Sequence, residues 1–221
     1  MNLDEVLQYR RSVRVYDKMK PIDTEKVKHC LELATLAPNS SNMQLWEFYH
    51  ITQPELLAKV SRACLDQKST ATAPEVVVFV VRRDVYRKRA RFVLDFERDN
   101  IHRNSPKERQ AKRIKDRELY YGILMPFVYA RFLGLLGLFR KLLANIISIF
   151  RPMMLEVSEN DMRVVAHKSC ALAAQTFMIA MANEGYDTCP LEGLPPVKKS
   201  AEATAWCRNK YGYPLRNTGW E

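Results

Sequence analysis

A helix that is apolar on nearly every side must be surrounded by other chain, and this sequence holds one between Ser158 and Met181. Ser158 and Asp161 have the spacing of a capping box, and Gly185 supplies the stop. Such a helix predicts a layered core around it. Val76 to Val81 is an unbroken β-branched and aromatic run behind Pro74, which reads as a central strand buried on both faces. Asp23 and Thr24 precede Val27, Cys30, Leu31 and Ala34 at helical spacing, with Pro38 closing that helix. Trp46 to Ile51 reads as a strand, and Pro54 starts a helix with Leu56, Leu57, Val60 and Cys64 on one face. Ala201 to Cys207 is a weaker candidate for a last strand. With 221 residues, 47% of them hydrophobic, one domain can bury a sufficient core without staples.

The five cysteines are odd in number and widely spaced with no CxxC pair, so neither a disulfide framework nor a metal site is expected, and idle thiols in a reducing compartment are the default. The N-terminus opens with Asp4 and Glu5 and has no basic stretch before an apolar run, from which a cytoplasmic location is expected. The formal charge of +10 is concentrated in a run from Arg82 to Arg117 that is interleaved with Asp and Glu. That pattern reads as a solvated helix face, and no nucleic-acid-binding motif accompanies it, so a nucleic-acid partner is not expected.

Tyr120 to Met154 is apolar for long stretches, yet Arg131, Arg140, Lys141 and Arg151 interrupt it and Pro126 breaks its helical continuity. A charge at mid-bilayer costs about 2.5 to 3.5 kcal/mol, so this segment is not read as a membrane span. It is expected to form helices over a ligand site and a subunit interface, and membrane association is not expected. The alternative is an interfacial amphipathic helix from Leu133 to Phe150 with Arg140 and Lys141 on its polar edge.

Three constellations carry chemistry. Arg10, Arg11, Ser12 and Arg14 place three guanidinium groups and a hydroxyl within five residues after a short N-terminal helix, donors suited to a phosphate monoester. Ala37-Pro38-Asn39-Ser40-Ser41-Asn42-Met43-Gln44 sets amide and hydroxyl side chains behind a proline turn, where they could bond the edge of a planar heterocycle. Pro190-Leu191-Glu192-Gly193 offers a close backbone approach at its glycine. Each alone reads more readily as an ordinary surface patch, Asx-rich loop or turn. His167, beside Lys168 and Ser169, reads as a satisfied core or interface histidine, not a proton donor.

In this order and at these spacings the three resemble the nitroreductase family, over roughly residues 1 to 81 and 158 to 207. The resemblance implies an α+β sandwich with a mixed, largely antiparallel sheet flanked by helices. It further implies a homodimer with FMN (flavin mononucleotide) at the interface, and one domain over 1–221 with a variable helical cover at about 82–157. It implies that Arg10, Arg11, Ser12 and Arg14 bind the FMN phosphate and ribityl chain. Pro38, Asn39, Ser40, Asn42 and Gln44 are then the loop reaching the flavin ring from the partner subunit. Leu191, Glu192 and Gly193 are the turn whose backbone faces flavin N5, and Gln67 matches a polar position near the ring. The chain stops at Glu221, short of the family's usual C-terminal arm, so Arg216, or else Arg208, is the candidate for a further phosphate contact.

The implied activity is hydride transfer from NADH or NADPH through flavin N5 to a small acceptor such as a nitroaromatic or a quinone, by a ping-pong mechanism with no dedicated catalytic side chain. The rival reading is a non-enzymatic basic adaptor on an anionic membrane surface or nucleic acid.

Overall fold

A computed structural model describes residues 1–191, and their packing divides into two compact units. The first comprises Met1–Ala37, Glu47–Val80 and the chain from Leu172; the second comprises Pro38–Trp46 and Val81–Ala171.

The first unit opens with α1 (Leu3–Tyr9). Asn2 accepts from the Glu5 N–H while the Glu5 carboxylate accepts from the Asn2 N–H, both at 2.9 Å. In α2 (Thr24–Thr35), Asp23 caps the N-terminus and Val27, Cys30, Leu31 and Ala34 are buried on one stripe, as their spacing predicts. β1 (Trp46–Ile51) and β2 (Val76–Val81) pair in a small antiparallel sheet, with α3 (Pro54–Ala63) and α4 (Lys68–Ala71) between them in the chain. Phe48 of β1 packs on Phe79 of β2 at 4.7 Å, and Phe79 on Phe177 at 5.6 Å, which joins sheet to helix in this core. Glu75, just before β2, accepts from Thr24 and pairs with His50 Nε2 at 2.6 Å, tying both strands to the start of α2. Among the described residues β2 pairs only with β1 and its six residues are half-buried, so the expectation of a central strand buried on both faces is corrected here.

The second unit is helical. α5 (Tyr86–Asn104) and α6 (Lys107–Arg117) are followed by a π-helical segment at Glu118–Leu124, then α7 (Met125–Tyr129) and α8 (Leu135–Ser148). Its core gathers Met43, Leu45, Ala90, Val93, Tyr121 and Met125. The basic run lies largely exposed on α5 and α6, laced by Arg98–Glu118 and Arg117–Glu97 pairs, as a solvated face should be. Arg82 departs from that reading: it is buried and grips Asp84 through two bonds of 2.8 and 2.7 Å.

The long helix, α9 (Glu159–Asn183), begins in the second unit and ends in the first. Its capping box is present: the Ser158 N–H donates to Asp161 at 2.9 Å and the Asp161 N–H to Ser158 Oγ at 3.1 Å. Gly185 ends the helical stretch at φ +79°, a conformation that favours glycine. Met162, Ala166, Ser169, Ala173 and Phe177 form its buried stripe, while Val164, Ala171 and Leu172 face outward. His167 is exposed, with Nδ1 at 2.8 Å from the Arg163 carbonyl, so it is satisfied but is not a core histidine in the protomer.

In the apolar segment the placing of Arg140 on a polar edge is corrected, while Lys141 is exposed. In α8 the buried residues are Gly137, Arg140 and Ala144, and the leucines point out. Arg140 is 3% exposed and donates to the carbonyls of Val157, Phe127 and Ala130, each at 2.9 Å, with its carbon Cζ over the Phe127 ring. It belongs to the interior, not to a polar edge. Gly137 lies so close to α9 that a Cβ there would sit 2.7 Å from the Glu159 N. The Glu159 carboxylate accepts from the Phe132 N–H at 3.0 Å, a bond that holds it below the usual carboxylate range, helped by N–H groups of Gly134 and Gly137 and by Arg140.

Candidate active site

In the first unit the chain leaving α1 runs extended beside the chain leaving α9. Ser12 bridges to Thr188 in parallel, and the Val13 N–H donates to the Thr188 carbonyl at 3.2 Å. The Tyr9 hydroxyl reaches the Gly185 carbonyl at 2.9 Å, one turn of sequence earlier. Arg10, Arg11, Ser12 and Arg14 are thereby fastened next to the segment that leads through Cys189 and Pro190 to Leu191. The Tyr16 N–H donates to Thr72 Oγ1 at 3.0 Å, which brings the Gln67–Thr72 stretch to the same strip of chain. Burial, together with the nearby Cys189 and Asp187, pushes the Tyr16 phenol up to about 12.

Two features of this strip suit it to an anion. No carboxylate among the described residues forms an ion pair with Arg10, Arg11 or Arg14; Arg11 instead donates to the carbonyls of Leu7 and Arg10. The hydroxyl of Thr188 is buried with no hydrogen-bond partner among the described residues. A buried donor left unpaired costs about 1–3 kcal/mol, so each such group calls for a reason. Three unneutralised guanidinium groups and an unpaired hydroxyl fit an incoming phosphate ester with a polar tail. Thr188, Tyr16 and Thr72 were not singled out from the sequence; the one signal for Thr188 was its place two residues before Pro190.

In the second unit the Pro38–Gln44 loop has an unusual backbone. Ser41, Asn42 and Gln44 have φ of +53°, +51° and +45°, the left-handed region that non-glycine residues enter rarely. Side chains hold it there. Asn39 Oδ1 accepts from the Gln44 N–H at 2.9 Å, and Gln44 Nε2 donates to Asn42 Oδ1 at 3.3 Å. The Ser40 N–H donates to Ser169 Oγ on α9 at 3.3 Å. Three tyrosines brace the loop from the other side: Tyr120 hydrogen-bonds Ser41 Oγ at 2.7 Å, Tyr121 donates to the Ser41 carbonyl at 3.1 Å, and buried Tyr129 hydrogen-bonds Ser40. Tyr120 and Tyr121 lie in the π-helical segment, a local widening that recurs at functional sites. Met43 and Leu45 are buried beneath the loop, whereas Pro38, Ser40 and Asn42 are exposed. Strained backbone over-determined by its surroundings is the pattern of a ligand-presenting loop.

The first constellation and the described start of the third, Pro190 and Leu191, thus belong to one unit with Gln67, and the second stands in the other unit as a braced loop. Glu192, Gly193, Arg208 and Arg216 lie outside the described residues. Of the cysteines, Cys30, Cys64 and Cys170 are buried and Cys189 is half-buried, all free thiols; burial pushes Cys30 and Cys170 up to about 11. Among the described residues no cluster of side chains suits a metal ion.

The model of the nitroreductase family matches residues 7–210. YodC of Bacillus subtilis, provisionally named an NAD(P)H nitroreductase, is 26% identical over 193 residues, covering 87% of this chain and 77% of its own. Two solved structures share the fold. The ydfN protein of Bacillus subtilis has a TM-score of 0.60 at 19% identity over 92% of this chain and 79% of its own. A protein of Exiguobacterium sibiricum, crystallised in complex with FMN, has a TM-score of 0.58 at 22% identity over 93% of this chain and 80% of its own.

Proposed function

Because the chain belongs to the nitroreductase family, we propose that it is an FMN-dependent oxidoreductase taking hydride from NADH or NADPH and reducing a small organic acceptor, a nitroaromatic or a quinone. The observation that carries this reading is the unneutralised cluster of Arg10, Arg11 and Arg14, fastened at Ser12 to Thr188 with its unpaired buried hydroxyl. The provisional name of YodC and the FMN bound by the Exiguobacterium protein support it.

FMN, when bound, would supply the hydride-transfer chemistry that links nicotinamide to acceptor. The protein's own residues bind and orient. Arg10, Arg11, Arg14 and Ser12 hold the phosphate and ribityl chain, with Arg216 as a further contact. The Thr188 hydroxyl gains its missing partner from the cofactor's polar tail. Gln67, Leu191, Glu192 and Gly193 are the residues that the family resemblance would assign to the ring, where a glycine backbone would add no bulky side chain. Pro38, Asn39, Ser40, Asn42 and Gln44 would contact the flavin from the second subunit of a homodimer. The outward face of α9, with Val164, Ala171 and Leu172 uncovered, is a suitable surface for that association.

An initial-rate matrix of nicotinamide against a quinone or nitroaromatic tests the proposal. Parallel double-reciprocal lines are expected, since donor and acceptor react in alternate half-reactions. Intersecting lines, or no turnover of FMN-loaded protein with either nicotinamide, overturn it.

A further inference from the structure

The α8 helix is inside out. At 3.6 residues per turn, Gly137, Arg140 and Ala144 fall on one side and are buried, while Leu135, Leu138, Phe139, Leu142 and Ile146 fall on the opposite side and are exposed, Leu138 to 69%. A surface helix normally turns its apolar stripe to the core and its charge to water. Here the interior offers three carbonyls for Arg140 and a close approach for Gly137, so the leucine stripe is left over. An uncovered apolar stripe of this extent marks a surface that binds something.

Charge identifies the occupant. From Leu119 to Leu155 the sequence has no Asp or Glu, and its cations other than the buried Arg140 are Arg131, Lys141 and Arg151, all exposed and flanking the stripe. A second copy docked face to face would bring the same cations together with no acid within the segment to offset them, Asp161 of α9 being a carboxylate whose charge is felt at Lys141. An anionic lipid surface presents the opposite charge and an apolar interior at once. With 14 residues, α8 is about 21 Å long, shorter than the roughly 30 Å hydrocarbon core, so it lies in the interface and does not cross it.

We infer that α8 is an interfacial anchor: its leucine face enters the headgroup boundary of an anionic bilayer, with Lys141, Arg131 and Arg151 at the phosphates. This inference is independent of the redox reading; it takes up the interfacial alternative for Leu133 to Phe150, with Arg140 in the interior, in place of helices over a ligand site and a subunit interface. The experiment is flotation of the FMN-loaded full chain with phosphatidylcholine vesicles that contain or lack phosphatidylglycerol, at low and high salt. Binding confined to phosphatidylglycerol vesicles and weakened by salt is expected. The Lys141→Gln/Arg151→Gln pair should weaken binding about twenty-five-fold, at about fivefold per cation. Leu138→Glu/Leu142→Glu should abolish it; these four side chains are exposed, so circular dichroism and FMN content serve as folding controls that should not change. Failure of the wild-type chain to float with phosphatidylglycerol vesicles overturns the inference. So does sedimentation showing that Leu138→Glu/Leu142→Glu breaks a larger oligomer, which would make the stripe a self-interface.

Discussion

Arg10 and Arg14 are where the account is most sharply exposed. Their guanidinium groups have no acidic partner among the described residues, so replacing them should cost the fold little and the cofactor much. Losing two charge-assisted bonds of about 1.5–3 kcal/mol each predicts FMN binding weakened at least about a hundredfold in Arg10→Ala/Arg14→Ala, read by fluorescence titration. Unchanged affinity removes them from the site. Tyr16 carries a second prediction at this scale. Its phenol, held near 12 in the fold, keeps its proton between pH 10 and 12 while the unfolded chain releases one, so stability falls as pH rises through that window. Tyr16→Phe should therefore show a shallower loss of stability above pH 10 in urea melts; an identical slope would mean that the phenol is not buried as described. The sequence carried the arginines plainly, because their density is unusual. It did not give the positive φ at Ser41, Asn42 and Gln44, where bonds within the loop from Asn39 and Asn42 are joined by bonds to Ser40 and Ser41 from Tyr120, Tyr121 and Tyr129 far along the chain.

Among the elements, those governed by local chemistry were legible: the Ser158–Asp161 box, the Asp23 cap and the β-branched strand all formed as their residues dictate. The orientation of α8 was not, because periodicity reports that a stripe exists and not which side the rest of the chain can accept. The burial of Arg140 was decided by three carbonyls from Phe127, Ala130 and Val157. Arg140→Leu strands those carbonyls and should cost at least about 2 kcal/mol in urea denaturation, whereas Leu138→Ser on the open face should stay within about 0.5 kcal/mol. The reverse order would show that the leucine face, and not the arginine face, is the buried one. Gly137 belongs to the same contact, where even one methyl group meets the backbone of Glu159.

For the molecule as a whole, the proposed homodimer shares each site between subunits. Asn42 then acts on the flavin held by the other chain's Arg14, so mixing Asn42→Ala chains with Arg14→Ala chains should restore activity in those mixed dimers that own one intact site. If tagged chains are seen to exchange and no activity returns, the sharing is wrong. The central claim is tested most directly by anaerobic mixing of the FMN-loaded protein with NADPH or NADH, followed at the flavin's visible absorption band. The band should bleach with at least one nicotinamide and return when a quinone or nitroaromatic is added. A band that neither nicotinamide bleaches, in protein that demonstrably holds FMN, would contradict it.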